Sequence, residues 1–184
     1  MRMTMRIVMK NAMAASILLV LAGSALAQDA SRDSATTEAH DLLTMSASNQ
    51  SLSMFVNLLR MNGLAKMLRE ENPLTVFALT NQAFANLQND DRKVLMTDHA
   101  ALHFLLEHYI VRENIVDNDP TKMSTARTLQ GLKLRTEVRS EGLYVNGARL
   151  SHDGIPCTNG ILYTLDAFDP ALVYQAVALA RSNR

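Results

Sequence analysis

The stretch from Leu74 to Leu87, Leu-Thr-Val-Phe-Ala-Leu-Thr-Asn-Gln-Ala-Phe-Ala-Asn-Leu, changes structural period in mid-course, and this constrains the whole chain. Thr75, Val76 and Phe77 are β-branched or aromatic and suit a pleated, half-buried strand. Ala83, Phe84 and Leu87 then fall at i, i+1 and i+4, on one side of a short helix. Between them stand Thr80 and Asn81, whose side-chain oxygens can accept the unpaired N–H groups of a first helical turn. The pattern predicts a strand that passes directly into a capped helix, both feeding one core.

Ahead of this stretch lies a segment that does not belong to the fold. Arg2, Arg6 and Lys10 precede a mainly apolar run from Ala12 to Ala22, and Ala25-Leu26-Ala27 has the small-x-small form of a cleavage site. Residues 1–27 therefore read as a signal peptide for export, too short in their apolar part to span a bilayer. Residues 28–39, rich in Ser, Thr, Asp and Glu, are expected to be a disordered leader, and residues 40–180 the folded domain. Cleavage removes three of 18 basic and none of 18 acidic residues, leaving 15 basic against 18 acidic. That balance offers no footprint for nucleic acid or an anionic membrane. Cys157 is the only cysteine, so an exported chain must rely on its packed core rather than on an internal disulfide.

The remaining pattern predicts an α+β fold, with helices first and a strand-rich half after them. Leu52, Phe55, Val56 and Leu59 recur at helical spacing, with Ser51 as the expected cap and Gly63 as the stop; Met54 and Met61 read as core filling. Asp98 is the expected cap of a helix through Leu102, Leu105 and Leu106, running into a strand at 109–111. Asn114 to Ser124 reads as a loop. Leu132, Leu134, Thr136 and Val138 alternate with Lys133, Arg135, Glu137 and Arg139, the clearest half-buried strand pattern in the chain. Asn146-Gly147 and Asn159-Gly160 are expected hairpin turns, and Pro170 opens a closing helix with Leu172, Val173, Ala176, Val177 and Ala180 inward.

Three separated motifs carry a family resemblance. Thr75-Val76-Phe77-Ala78-Leu79-Thr80-Asn81-Gln82-Ala83-Phe84 resembles the first signature of fasciclin (FAS1) domains, with Leu79 where the family has Pro. Leu105 to Val111, including His108, is similar to the central Leu-Leu-x-x-His segment, and Asn159-Gly160 through Asp166 is similar to the second signature. The match runs from about Asp41 to Leu179. It implies a FAS1-like β-sandwich or wedge with a helical N-terminal half packed on it. On this resemblance, Thr75, Phe77, Thr80, Asn81, Phe84, His108, Asn159, Gly160 and Asp166 are structural motif residues. Gly154 stands where the family often has Asp, and Tyr163 where it often has His; both lie near surfaces animal members are thought to use for adhesion.

A catalytic set does not assemble from the residues. His99 and His103 share a helix face at metal-ligand spacing, but they lack the adjacent Glu of a metalloprotease helix and an obvious third ligand. Cys157, in Ile-Pro-Cys-Thr-Asn, has no local base and reads as a small buried residue. No Gly-x-Ser-x-Gly elbow and no phosphate-cradling glycine loop occurs. The expectation is therefore a secreted or periplasmic, non-enzymatic protein without a cofactor. The resemblance implies extracellular adhesion or interaction with another extracellular or cell-surface protein or polymer. The alternative is carriage of a small apolar ligand, a lipid or pigment; a metal-dependent or hydrolytic role ranks third. Asp117, Asp119, His99 and His103 are the expected interaction surface.

Overall fold

In the computed structural model the described residues are 40–70, 73–115, 120–150 and 154–182. The expected signal peptide over 1–27 and leader over 28–39 lie outside them, as do Asp117, Asp119 and His152. The described residues begin with three helices, α1 (Leu42–Ser48), α2 (Ser53–Met61) and α3 (Met67–Glu70), with a 3-10 turn at Gln50–Leu52. Strand β1 (Leu74–Leu79) then leads through Thr80 into α4 (Asn81–Ala85), as the change of period predicts. Helices α5 (Asn89–Thr97) and α6 (His99–Glu107), strand β2 (Ile110–Val111) and helix α7 (Pro120–Thr125) follow. The last part holds β3 (Thr136–Arg139), β4 (Gly142–Val145), β5 (Ala148–Arg149), β6 (Ile155–Cys157), β7 (Gly160–Leu165) and α8 (Pro170–Ser182). The class is α+β. Helices and strands interleave more than a plain helical-then-strand order, because β1 and β2 lie among the helices that precede β3.

Two sheets form among the described residues, one ordered β2-β1-β7-β6 and one ordered β3-β4-β5. In the first, β1 is central: it runs parallel to β7, from Leu74 opposite Gly160 to Leu79 opposite Leu165, and antiparallel to β2. All six of its residues are buried. The expected half-buried strand is thus a fully buried one, since a strand with neighbours on both sides and helices over the sheet has no solvent face. Phe77 stacks on Tyr163 across the β1–β7 pair, with ring centroids 5.4 Å apart. Phe84, from α4, meets Phe168 edge-on at 5.0 Å, and Phe168 meets Tyr109 in the same way. These rings and the leucines of α1, α2 and α6 form one continuous core.

The second sheet corrects the other strand expectation. β3 spans only Thr136–Arg139, and none of its residues is buried; Val138 is 72% exposed. Of the alternating apolar set, Leu134 alone is buried, and it precedes the strand. The alternation marks an edge strand rather than a strand with a covered face, and charges such as those beside Val138 are a common guard against edge-to-edge pairing.

Turns account for the remaining differences. Asn146 and Gly147 both take positive φ, 52° and 81°, and Val145 pairs with Ala148 around them, a type I′ hairpin as expected. The second hairpin is displaced by one residue: Cys157 pairs with Gly160, so the two-residue turn is Thr158-Asn159. Gly160 instead begins β7, where a Cβ would come within 1.9 Å of the Leu74 carbonyl oxygen; the glycine is required by the close approach of β1. Gly63 does close α2: Leu64 N–H donates to Leu59 O (2.9 Å) and Gly63 N–H to Arg60 O (3.2 Å), a Schellman arrangement. The expected loop at 114–124 contains α7. Met54 and Met61, expected in the core, are 41% and 64% exposed on the outer face of α2.

Candidate functional site

The polar motif residues are engaged within the fold, and each engagement has a local cause. Thr80 sits between strand and helix with extended backbone, so its Oγ1 can accept the Ala83 N–H (3.3 Å) and donate to Asp166 Oδ1 (3.2 Å). This joins the first helical turn of α4 to the end of β7. Asn81 does not cap its own helix. Its Oδ1 accepts the Met54 N–H at 3.0 Å and its Nδ2 donates to Gln50 O at 3.0 Å, so it caps the start of α2 from across the fold. Ser51, the expected cap of that helix, has its own N–H bound to Asn49 Oδ1. The 3-10 turn leaves α2 with Leu52 at its N-cap, which has no side-chain oxygen, and Asn81 supplies the missing acceptor.

Asn159 performs the same kind of joining inside the core. Its Oδ1 accepts the Leu42 N–H at 2.9 Å and its Nδ2 donates to Leu68 O at 2.8 Å, fastening the first and third helices to the β6–β7 turn. Thr75 Oγ1 donates to Glu113 O (2.6 Å) and accepts from Ile115 N–H (3.0 Å), which holds the chain that leaves β2. These side chains face separate joints, and none converge on one cavity.

His108 is the most perturbed titratable member. It is 3% exposed, and its Nε2 lies 2.9 Å from Asn146 Nδ2 in the β4–β5 turn. Nδ1 is buried without a partner among the described residues. Burial pulls the ring pKa down to about 4, against the opposing pull of Asp169, so at neutral pH the imidazole is uncharged. A neutral ring lets Nε2 accept from the Asn146 amide. Around it, Arg135 N–H donates to Asn146 Oδ1 (2.8 Å), Arg135 Nη2 meets Asp169 Oδ2 (3.2 Å), and Asp169 N–H donates to the Tyr109 hydroxyl oxygen (3.1 Å). Sequence reasoning missed Arg135, Tyr109 and Asp169 as members of this network. No local pattern announces them, because the contacts form between elements distant in the chain.

The expected surface residues are only partly brought together. His99 is exposed at the start of α6; His103, one turn on, places Nδ1 3.4 Å from Glu107 Oε2. Among the described residues no group of three or more His, Cys, Asp or Glu side chains is arranged to hold a metal ion. Cys157 is half-buried rather than buried; burial, with Asp41 nearby, pushes its thiol up to about 11, leaving it protonated and a poor nucleophile at neutral pH. Gly154 and Tyr163, two of the departures from the family pattern, touch each other. A Cβ at Gly154 would fall 2.7 Å from Tyr163 Cζ, so the glycine makes room for the larger ring, whose hydroxyl donates to Ile115 O at 2.8 Å.

An apolar groove of about 410 Å³ was not anticipated. It lies between α8 and the α4–α5 segment, floored by Ala83, Phe168 and Val177. No helix among the described residues is long and apolar enough to cross a membrane.

Comparison with known proteins agrees with this architecture. The solved FAS1 domain pair from the insect cell adhesion molecule fasciclin I superposes with a TM-score of 0.62 at 17% identity, covering 70% of this chain and 50% of that one. The chain is 30% identical over 114 residues to transforming growth factor-beta-induced protein ig-h3 of Sus scrofa, covering 62% of this chain and 17% of that protein. It is 25% identical to human periostin over 116 residues, 14% of that protein's length. The chain therefore spans under a fifth of these animal relatives. Protein sll1483 of Synechocystis is 28% identical over 145 residues, 78% of either chain. The model of the Fasciclin domain matches residues 50–168, and with this span and this fold the chain belongs to the fasciclin domain family.

Proposed function

We propose that this protein is a secreted or periplasmic, non-catalytic interaction module that binds another extracellular or cell-surface protein or polymer. The observation that carries the reading is the engagement of the polar motif side chains by the fold: Thr80, Asn81, His108 and Asn159 hold joints, and among the described residues they do not converge on one site. Binding then falls to the surface, at the 114–124 segment with Asp117 and Asp119 or at the α6 face bearing His99 and His103. Export by the predicted signal peptide places the mature start at Gln28, which the intact mass of the exported protein checks.

The test is retention of cell-surface material by the immobilised mature chain. The expected outcome is capture of a specific component, weakened at least several-fold by Asp117→Ala with Asp119→Ala or by His99→Ala with His103→Ala at unchanged thermal stability. Turnover of an ester, peptide or glycan that is lost in folded His103→Ala overturns the reading. A second reading, carriage of a small apolar molecule, is favoured by the groove beside α8. The six methionines after residue 27 give it no support: Met123 is buried, Met45, Met67 and Met96 pack against the core, and Met54 and Met61 lie on α2 away from the groove.

A further inference from the structure

The groove beside α8 has a direction. Pro170, Val173, Tyr174, Val177 and Arg181 all line it, at i, i+3, i+4, i+7 and i+11, so they form a single stripe along one helix face. At about 1.5 Å per residue that stripe is roughly 16 Å long, enough for an extended single alkyl chain. Its apolar part ends at Arg181, in the last turn of the helix, and Arg181 has no ion pair among the described residues. The ring of Tyr174 stands at the rim, 75% exposed, an aromatic edge that a bound chain would cover. On the opposite wall Asn86 and Gln88 are neutral, and Asp91 is the one acid; it lies in the first turn of α5, where the helix dipole stabilises it.

We propose that this groove binds a single-chain anionic amphiphile, a long-chain carboxylate, with its tail along Val173 and Val177 and its head at Arg181. The proposal rests on the carrier reading and adds to it the ligand's charge and orientation. An apolar trough with a guanidinium at one end, unpaired among the described residues, selects a ligand with an anion at one terminus, since the planar fork matches a carboxylate through paired N–H donors. A neutral apolar molecule would fill the trough and leave the guanidinium as it stands. Asp91 opposes the anion from the far wall and sets the affinity below what Arg181 alone would give.

The experiment is calorimetric titration of the mature chain with sodium dodecanoate and, separately, with dodecanol. Dodecanoate is expected to bind at one site at least tenfold more tightly than the alcohol. Arg181→Gln should bring the acid down to the level of the alcohol, Arg181→Lys should restore part of the difference, and Asp91→Asn should tighten dodecanoate a few-fold. Gln88→Trp, which fills the groove from an exposed position with no hydrogen bond to lose, should abolish both. Equal binding of acid and alcohol, both blocked by Gln88→Trp, overturns the proposal while the carrier reading stands. Failure of both ligands to bind overturns the two together. A concentration-dependent dimer in sedimentation that is dispersed by Gln88→Trp also overturns the proposal, by assigning the groove to a second copy of the chain.

Discussion

Strands β1 and β3 carry opposite relations between pattern and burial. β1 shows hardly any alternation, Leu-Thr-Val-Phe-Ala-Leu, and is buried along its whole length. β3 lies in the most regular alternation of the chain and has no buried residue. The difference lies in their neighbours. β1 is flanked by β2 and β7 and packed on by helices, so both of its faces meet protein. β3 is at the edge of a three-stranded sheet, paired only with β4, and its apolar positions look outward. Alternation reports two unlike faces; which of them is covered depends on partners that the strand's own sequence does not contain.

The largest expected effect falls on the β1 side. Phe84 is 2% exposed and rests edge-on against Phe168, so Phe84→Ala opens a cavity beside the Phe168 ring in the core. A loss of about 3–5 kcal/mol is expected in chemical denaturation, the usual range for a buried phenylalanine. A loss under 1 kcal/mol would mean that the core around β1 collapses readily, and the contrast between the two strands would lose its energetic meaning.

The fold was legible where signals are local. The strand-to-helix change at Thr80, the Gly63 stop, the Asp98 cap (its Oδ1 accepting Ala101 N–H at 2.8 Å) and the Asn146-Gly147 turn all depend on residues within a few positions of one another. Legibility ended where a side chain acts on a distant segment. Asn81 has the composition of a local cap and serves a helix some thirty residues earlier in the chain, because Leu52 leaves that helix without one. Gly160 reads as a turn residue and is in fact a strand residue under pressure from Leu74. The groove was illegible for the same reason: its walls come from two parts of the chain, neither of which has an unusual pattern alone.

The seam between the two sheets supplies the next effect, and it depends on pH. His108 follows α6, and its ring meets Asn146 in the turn of the outer sheet. The ring's pKa falls from 6.5 to about 4 in the fold, by burial and against Asp169, so the native state favours the neutral form. Its contribution is fully present above pH 6.5. It is lost as pH falls from 6.5 toward about 4, because the unfolded chain takes up the proton first. The loss is on the order of 3 kcal/mol over that window. Denaturation of His108→Gln should show a flatter pH profile there than the native protein, since Gln keeps a hydrogen-bonding side chain and removes the titration. Parallel profiles would place the acid sensitivity elsewhere and detach the seam from the outer hairpin.

Asn81→Ala is expected to be smaller, about 1 kcal/mol, in the range of an exposed cap. Its bonds to Met54 N–H and Gln50 O are solvent-accessible, so water replaces much of what is lost. The ordering below Phe84→Ala is the measurement. A cost equal to that of Phe84→Ala would show that the α2 joint is as cooperative as the core, although it lies at the surface.

The smallest expected effect is also the most direct trial of β3. Val138 is 72% exposed, opposite Leu143, with Glu137 and Arg139 on either side in sequence. Val138→Thr keeps the β-branched shape and replaces one methyl with a hydroxyl, so strand propensity is preserved and only the solvation of that face changes. If water covers the face, stability should move by less than about 0.5 kcal/mol, as exposed substitutions do. If something else covers it in solution, the hydroxyl is buried there without a partner and the cost rises several-fold. Thermal denaturation at two protein concentrations separates the cases: a cost that appears only at the higher concentration means a second chain lies on β3. The regular alternation would then have reported a buried face correctly, one completed between molecules rather than within one.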